Sequence, residues 1–313
     1  MAKTSKTILF FGNERLATGV STELPVLRCL LAEGYKIAAI ITNYTQSNGR
    51  QNRQLEVANF ANEYEIPLLI PRNLSEIFGQ LSEYRADVGV LAAYGKLVPQ
   101  SVIDLFPAGI VNLHPSLLPA HRGPTPIEST ILHGETTAGV SLMSLAKAMD
   151  AGPIYAQSTV TLTGDETKQA LADQLGELGA TMIRELLPEI IAGTIVAAPQ
   201  SNEDATYDAL ITKADSSLDW HKPAEQLSRE VRAFAGWPGS RTDLGSVEVS
   251  ITAAHAVPAT MPKQPGHIQI LADTNSLVVD TTDGYLCIDR LKPAGKNEMS
   301  AAEFVRGYQG RLS

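Results

Sequence analysis

The stretch VNLHPSLLPAHRGPTP, Val111 to Pro126, decides the fold and carries the chemistry. Its opening reads as a short apolar strand, Gly109 to Leu113, that delivers Asn112 and His114 to its carboxyl end. Successive side chains alternate across a strand, so residues two apart project from one face and can converge on one small group. Pro115 and Pro119 fix φ on either side of the SLL run, while Gly123, Pro124 and Pro126 hold off an early helix. A stiff polar loop at the carboxyl end of a strand is where open α/β sheets place their ligands. A single Asn or His at such a place is more often a turn cap or the partner of a buried carbonyl. A third polar group shifts that balance. Asp150 stands 36 residues beyond His114, after the apolar run VSLMSL and just before Ala151 and Gly152, where a neighbouring strand is expected to end. Asn, His and Asp are together the groups needed to carry a proton off an attacking amine and to hold a developing oxyanion.

Working outward, TILFF reads as a buried first strand, followed by the loop GNERLATG, a helix from Leu24 to Ala32 and a second strand from Lys36 to Thr42. Gly12 and Gly19 lack the G-x-G-x-x-G spacing, which excludes a dinucleotide-binding turn. Strands and helices go on alternating through PLLI, a helix near Leu74 to Leu81 and the strand VGVLAA, the rhythm of a parallel sheet with right-handed crossovers. Downstream, a short helix from Thr125 to His133, the strands AGVSLMSL and PIYAQSTV, and a long helix from Thr167 to Ala192 complete this part. Residues 196–206 lose periodicity, as a linker does. Beyond them a helix stops at Gly236 and Pro238, and the short runs VEVSITAA, GHIQIL, SLVVDT and GYLCIDRL are spaced as in a small β-barrel. The expected fold is therefore α/β: a Rossmann-like, mostly parallel sheet over residues 1–195, then a linker, then a small OB-like β-barrel over 207–313.

A chain of 313 residues with 44% hydrophobic and 19% charged residues has length and apolar content for two soluble domains. No run reaches the length of a membrane span, and MAKTSKTILFFGN passes straight into a strand without a signal-peptide pattern, so a cytoplasmic protein is expected. Cys29 and Cys287 are far apart in apolar runs and read as structural thiols. The net charge of -9 gives no overall basic footprint for a polyanion. From Tyr207 onward, however, 11 Lys and Arg stand against 13 Asp and Glu, so most of the negative charge lies in the first part.

NLHPSLLPAHRG followed by GETTAGVSLMSLAKAMDAGPIYAQ resembles the signature of the folate-dependent formyltransferases: Asn-x-His, then Ser-Leu-Leu-Pro, then a distant Asp-x-Gly. ADVGVLAAYGKLVP extends the likeness. ITKADSSLDW, VRAFAGWPGS and LKPAGKNEMSAAEFVRG resemble, in order and at similar separation, the carboxyl-terminal domain of those members that act on methionyl-tRNA. The resemblance implies 10-formyltetrahydrofolate as the donor and the α-amine of methionyl initiator tRNA as the acceptor, with no metal and no membrane, in a monomer. It implies Asn112, His114 and Asp150 as catalytic residues, and Ala92, Ala93, Tyr94, Gly95, Ser116, Leu117, Leu118 and Pro119 as the lining of the folate and formyl pocket. It also assigns tRNA contact to Arg50 and Arg53, in the loop from Asn43 to Gln54, and to the carboxyl-terminal domain. Nucleotide-sugar amines and water, as in a formyltetrahydrofolate hydrolase, are the competing acceptors. The chain departs from the family at Gly12, Asn13 and Glu14, where Gly-Thr-Pro is more usual, and at His121, where an aromatic or basic residue is.

Overall fold

The computed structural model describes residues 6–43, 55–258, 264–271, 274 and 276–312. They form two compact units: the described residues up to 127, 136–162 and 169–210 in the first, and 128–135, 163–168 and the described residues from 211 onward in the second.

The first unit is built on seven strands: β1 (Thr7–Gly12), β2 (Lys36–Ile41), β3 (Leu68–Leu69), β4 (Val88–Ala92), β5 (Ile110–His114), β6 (Thr137–Ser144) and β7 (Ile154–Thr161). They lie in the order β3-β2-β1-β4-β5-β6-β7. Pairing is parallel from β3 through β5 and antiparallel from β5 through β7. The helices α1 (Pro25–Ala32), α2 (Glu56–Glu63), α3 (Phe78–Glu83), α4 (Gln100–Ile103), α5 (Pro126–His133) and α6 (Lys168–Ala192) connect or follow these strands. β4 and β5 are buried at every residue, as expected of central parallel strands covered on both faces. Gly12 ends β1 where a Cβ would stand 1.8 Å from the Ala92 carbonyl oxygen, so the two strand ends can lie side by side only with glycine there. The helix expected near Leu74 divides into a 3-10 turn, Leu74–Ile77, capped by the Asn73 side chain, and then α3. The segment 196–206 carries specific contacts: Ala198 exchanges backbone hydrogen bonds with Ile154 at 2.7 and 2.8 Å.

In the second unit, helix α7 (Ala224–Ala233) precedes β8 (Ser240–Leu244), β9 (Val247–Pro258), β10 (Ile268–Ile270), β11 (Leu277–Asp280), β12 (Gly284–Pro293) and β13 (Met299–Ser300), and α8 (Ala301–Tyr308) follows. The ladder is antiparallel, in the order β10-β11-β12-β9-β8, with β13 on β12. Alternate residues of β9 and β12, among them Val249, Ile251, Leu286 and Ile288, meet Leu227 and Val231 of α7 and Phe304 of α8 in one core. α8 starts at a reciprocal capping box formed by Ser300 and Glu303. Lys168 and Glu128 form a fully buried ion pair in this unit, 3.7 Å apart, and Lys168 Nζ also donates to the Trp237 carbonyl at 2.9 Å. Burial pushes the Lys168 ammonium below its ordinary pKa, and Glu128 opposes that shift. A mostly parallel α/β sheet followed by an antiparallel β domain is the fold class that the sequence periodicities predict. Both cysteines are free thiols, Cys287 buried and Cys29 only partly so. Among the described residues no helix is long and apolar enough to cross a membrane.

Candidate active site

β5 delivers Asn112 and His114 to one face of the first unit's sheet, both almost fully buried. The imidazole of His114 is anchored at one nitrogen and faces a carboxylate with the other. Nε2 lies 2.9 Å from the backbone carbonyl oxygen of His121. A carbonyl only accepts, so the neutral ring carries its proton on Nε2 and turns the bare lone pair of Nδ1 elsewhere. Nδ1 stands 3.8 Å from Asp150 Oδ1. The other oxygen of that carboxylate, Oδ2, accepts from the Gly123 backbone N–H at 2.9 Å.

Asp150 reaches this place because the chain turns sharply after β6. Its own φ is 48°, in the left-handed region that Asp tolerates better than most residues. Two residues on, a Cβ at position 152 would stand 1.9 Å from the Ser144 carbonyl oxygen, so only glycine fits there. The Asp-x-Gly pattern is thus a turn requirement as well as a chemical one.

Asn112, His114 and Asp150 line one cleft of about 560 Å³ in the first unit, together with Ala93, Tyr94 and Gly95 after β4. The Ala93-Tyr94-Gly95 turn is backbone-shaped, with φ of 57° at Ala93 and 69° at Gly95. Tyr94 is buried, packs edge-to-face on Phe11 at 5.8 Å and accepts, through its backbone carbonyl, a hydrogen bond from the Asn43 amide. Burial pushes its phenol up to about 12. Leu91, Val98 and Leu145 give the cleft an apolar wall, and Leu97, Met149 and Leu210 expose large apolar side chains along it. Arg15, Lys96 and Lys147, all exposed, also line it. A chain of net charge -9 therefore gathers cations at this cleft.

Not every residue expected at the pocket lines it. Ala92 borders a separate small cavity beside Ala93. Ser116, Leu117, Leu118 and Pro119 do not line the cleft, and their polar groups bond within the loop and to β6 and β7. Ser116 Oγ donates to the Ala120 carbonyl at 2.8 Å, the Leu118 N–H donates to Ser141 Oγ at 3.0 Å, and the Leu118 carbonyl accepts from Gln157 at 2.7 Å. Leu117 packs where a Cβ on Gly139 would collide with it. Arg50 and Arg53 lie outside the described residues.

Three further residues belong to the site by geometry. Arg122, among the most deeply buried side chains in the chain, donates to Gln200 Oε1 through Nε at 3.1 Å and Nη2 at 2.7 Å, and to Asn202 and Tyr207 through Nη1. Gln200 Nε2 donates in turn to the backbone carbonyls of Asp150 and Gly152. Asp208 lines the cleft and pairs with His121 Nδ1 at 3.0 Å. Arg122 stands in the signature Asn112 to Gly123, but no local pattern marks Gln200 or Asp208, whose contacts join segments tens of residues apart.

An amide donor, an imidazole base, a carboxylate and a cleft with one apolar wall at the end of a central strand match a group-transfer enzyme, and the family comparison is specific. The Formyl transferase model matches residues 19–187 and the Formyl transferase C-terminal domain model matches residues 210–309. The chain belongs to the formyl transferase family. Within that family it is similar to proteins named methionyl-tRNA formyltransferase. One from Roseiflexus castenholzii is 34% identical over 309 residues, spanning 97% of each chain. Another from Dehalococcoides mccartyi is 36% identical over 309 residues, spanning 96% of each. A solved structure of WlaRD, a sugar 3N-formyl transferase in the presence of dTDP and 5-N-formyl-THF, shares the fold. Its TM-score is 0.67 at 17% identity, over 95% of this chain and all of the other.

Proposed function

We propose that the chain transfers the formyl group of 10-formyltetrahydrofolate to the α-amine of methionyl initiator tRNA. The observation that carries this reading is the arrangement of His114, with one ring nitrogen tied to a backbone carbonyl and the other facing Asp150 beside Asn112, in the cleft of a family whose methionyl-tRNA members match nearly the whole chain. The amine of an aminoacyl ester is largely neutral near pH 7, because free α-amino groups titrate at about 8 and the ester withdraws further density. It attacks the formyl carbon and makes a tetrahedral oxyanion. Asn112 supplies N–H donors to that oxygen. As the new C–N bond forms, the attacking nitrogen becomes acidic, and the Nδ1 lone pair of His114 takes its proton. The imidazolium so formed faces Asp150, donates to the oxyanion, and returns the proton to the departing folate nitrogen. His114 is therefore a base first and a donor second, since its neutral ring has no proton to offer at Nδ1.

The turn Ala93 to Gly95 lets a flat ring lie against the backbone, and the apolar wall suits a pterin. Arg15, Lys96 and Lys147 attract anionic substrates, whether folate carboxylates or RNA phosphates. Arg50 and Arg53 are assigned to the tRNA acceptor end, and Arg50→Ala is expected to raise KM for methionyl-tRNA with folate binding unchanged. A sugar amine or water as acceptor is disfavoured by the full-length likeness to methionyl-tRNA enzymes. Incubation with methionyl-tRNA and formyl-folate, scored for the N-formylmethionyl ester, tests the proposal. Formate release without that ester would refute it.

A further inference from the structure

Gln200 has both ends of its amide in use. Its oxygen accepts two hydrogen bonds from the Arg122 guanidinium, at 3.1 and 2.7 Å. Its nitrogen donates to the Asp150 carbonyl at 2.8 Å and to the Gly152 carbonyl at 2.7 Å. The orientation of the amide is unambiguous, because a guanidinium only donates and a carbonyl only accepts. Arg122 adjoins Gly123, whose N–H holds the Asp150 carboxylate. Two arms leave one dipeptide: one grips the side chain of Asp150 directly, and the other grips its main chain through Gln200. The turn they brace has a left-handed Asp150, a backbone state that persists only where surrounding contacts over-determine it.

We propose that Gln200 is a positioning residue for formyl transfer. Its amide nitrogen, aimed by the buried Arg122, fixes the Asp150 turn and so sets the distance from the carboxylate to His114. This rests on the mechanism above. The Arg122 guanidinium spends its donors on Gln200, Asn202 and Tyr207, so the two turn carbonyls receive theirs from the Gln200 amide nitrogen.

The discriminating variant is Gln200→Glu. It keeps an acceptor for Arg122, and a charged one, but replaces the nitrogen with an oxygen that repels both carbonyls. If Gln200 merely satisfies Arg122, Gln200→Glu behaves as wild type. If it positions Asp150, single-turnover formylation falls roughly ten- to a hundredfold, the loss typical of a small misplacement of a reacting group. KM for folate and for methionyl-tRNA stays within about twofold in that case, a change in kcat alone. Gln200→Ala is expected to lose activity similarly and to melt earlier, because it also strips Arg122 of its acceptor. The same Gln200→Glu change is then made in an Asp150→Ala background, with all rates read below the melting onset of the weakest variant. A further loss of no more than about twofold there supports action through Asp150. A full additional ten- to hundredfold loss overturns it, as does an undiminished rate for Gln200→Glu alone. A wild-type chain that forms no N-formylmethionyl-tRNA would overturn the underlying reaction instead, and the proposal with it.

Discussion

Asp150→Asn separates the charge of the carboxylate from its shape. The substitution is isosteric, and an Asn oxygen can still accept from the Gly123 N–H. The amide nitrogen then faces His114, where it donates to the Nδ1 lone pair and occupies the position that must receive the proton. The carboxylate's contribution follows from the 3.8 Å separation between Nδ1 and Oδ1. Two unit charges at that distance, at an effective dielectric of about 20, attract by roughly 4 kcal/mol. At about 1.4 kcal/mol per decade, losing that attraction for the imidazolium slows the chemical step by roughly a thousandfold. Single-turnover formylation of methionyl-tRNA, with enzyme in excess, reads this step directly. Equilibrium binding of the folate donor and the melting temperature are expected to match wild type. A single-turnover rate within tenfold of wild type, in a variant that binds folate normally, would refute the role given to the ion pair.

Other expectations follow from single contacts. Asn112→Ala is expected to lower single-turnover rates by roughly 10²- to 10³-fold with melting unchanged, the usual result of deleting one oxyanion donor. Gly152→Ala forces a Cβ to within 1.9 Å of the Ser144 carbonyl, so the turn must move. Loss of activity with a destabilisation of about 1–3 kcal/mol in denaturant is expected. Lys168→Met leaves Glu128 buried without its ammonium partner. It should cost about 3–5 kcal/mol, and Glu128→Leu in the same chain should recover part of that. Asp87 is held below the ordinary carboxylate pKa of 3.8, chiefly by the Thr7 N–H, with burial opposing and Lys6 assisting. Its folded pKa is depressed, so its stabilisation is present above that ordinary value and lost as pH falls through the lower folded one. Urea titrations of Asp87→Asn should therefore show a deficit at neutral pH that vanishes in acid.

The central strands were legible because both faces of β4 and β5 are covered, which leaves continuous apolar runs. Asn112 and His114 stood out against that background by their polarity and two-residue spacing. Asp150 was legible through the glycine that its turn demands. β8 was not, because SRTDL at a sheet edge is polar at four of five positions and carries no clean alternation. α8 left a signal, Ser300 and Glu303 three apart, but it lay in a stretch read only for its resemblance. Gln200 could not be found from its neighbours in sequence, since its partners lie 48 to 78 residues away and only the folded chain supplies them. In the SLLP run, the Ser116 hydroxyl is taken up by the Ala120 carbonyl of its own loop, and the Leu118 N–H and carbonyl by Ser141 of β6 and Gln157 of β7.

The tether on His114 bears on how such a site drifts over evolutionary time. The ring is anchored to the main-chain carbonyl of residue 121, a group that every amino acid carries. Substitution there by a residue that tolerates its left-handed φ of 59° leaves the anchor in place, and the side chain is released from catalytic duty. In this chain it is a histidine paired with Asp208, which lines the same cleft. A lineage can exchange the pair at 121 and 208 for other combinations, and with it the chemistry of one cleft wall, without first losing the orientation of its base. Specificity is free to diverge there while the reaction itself stays fixed.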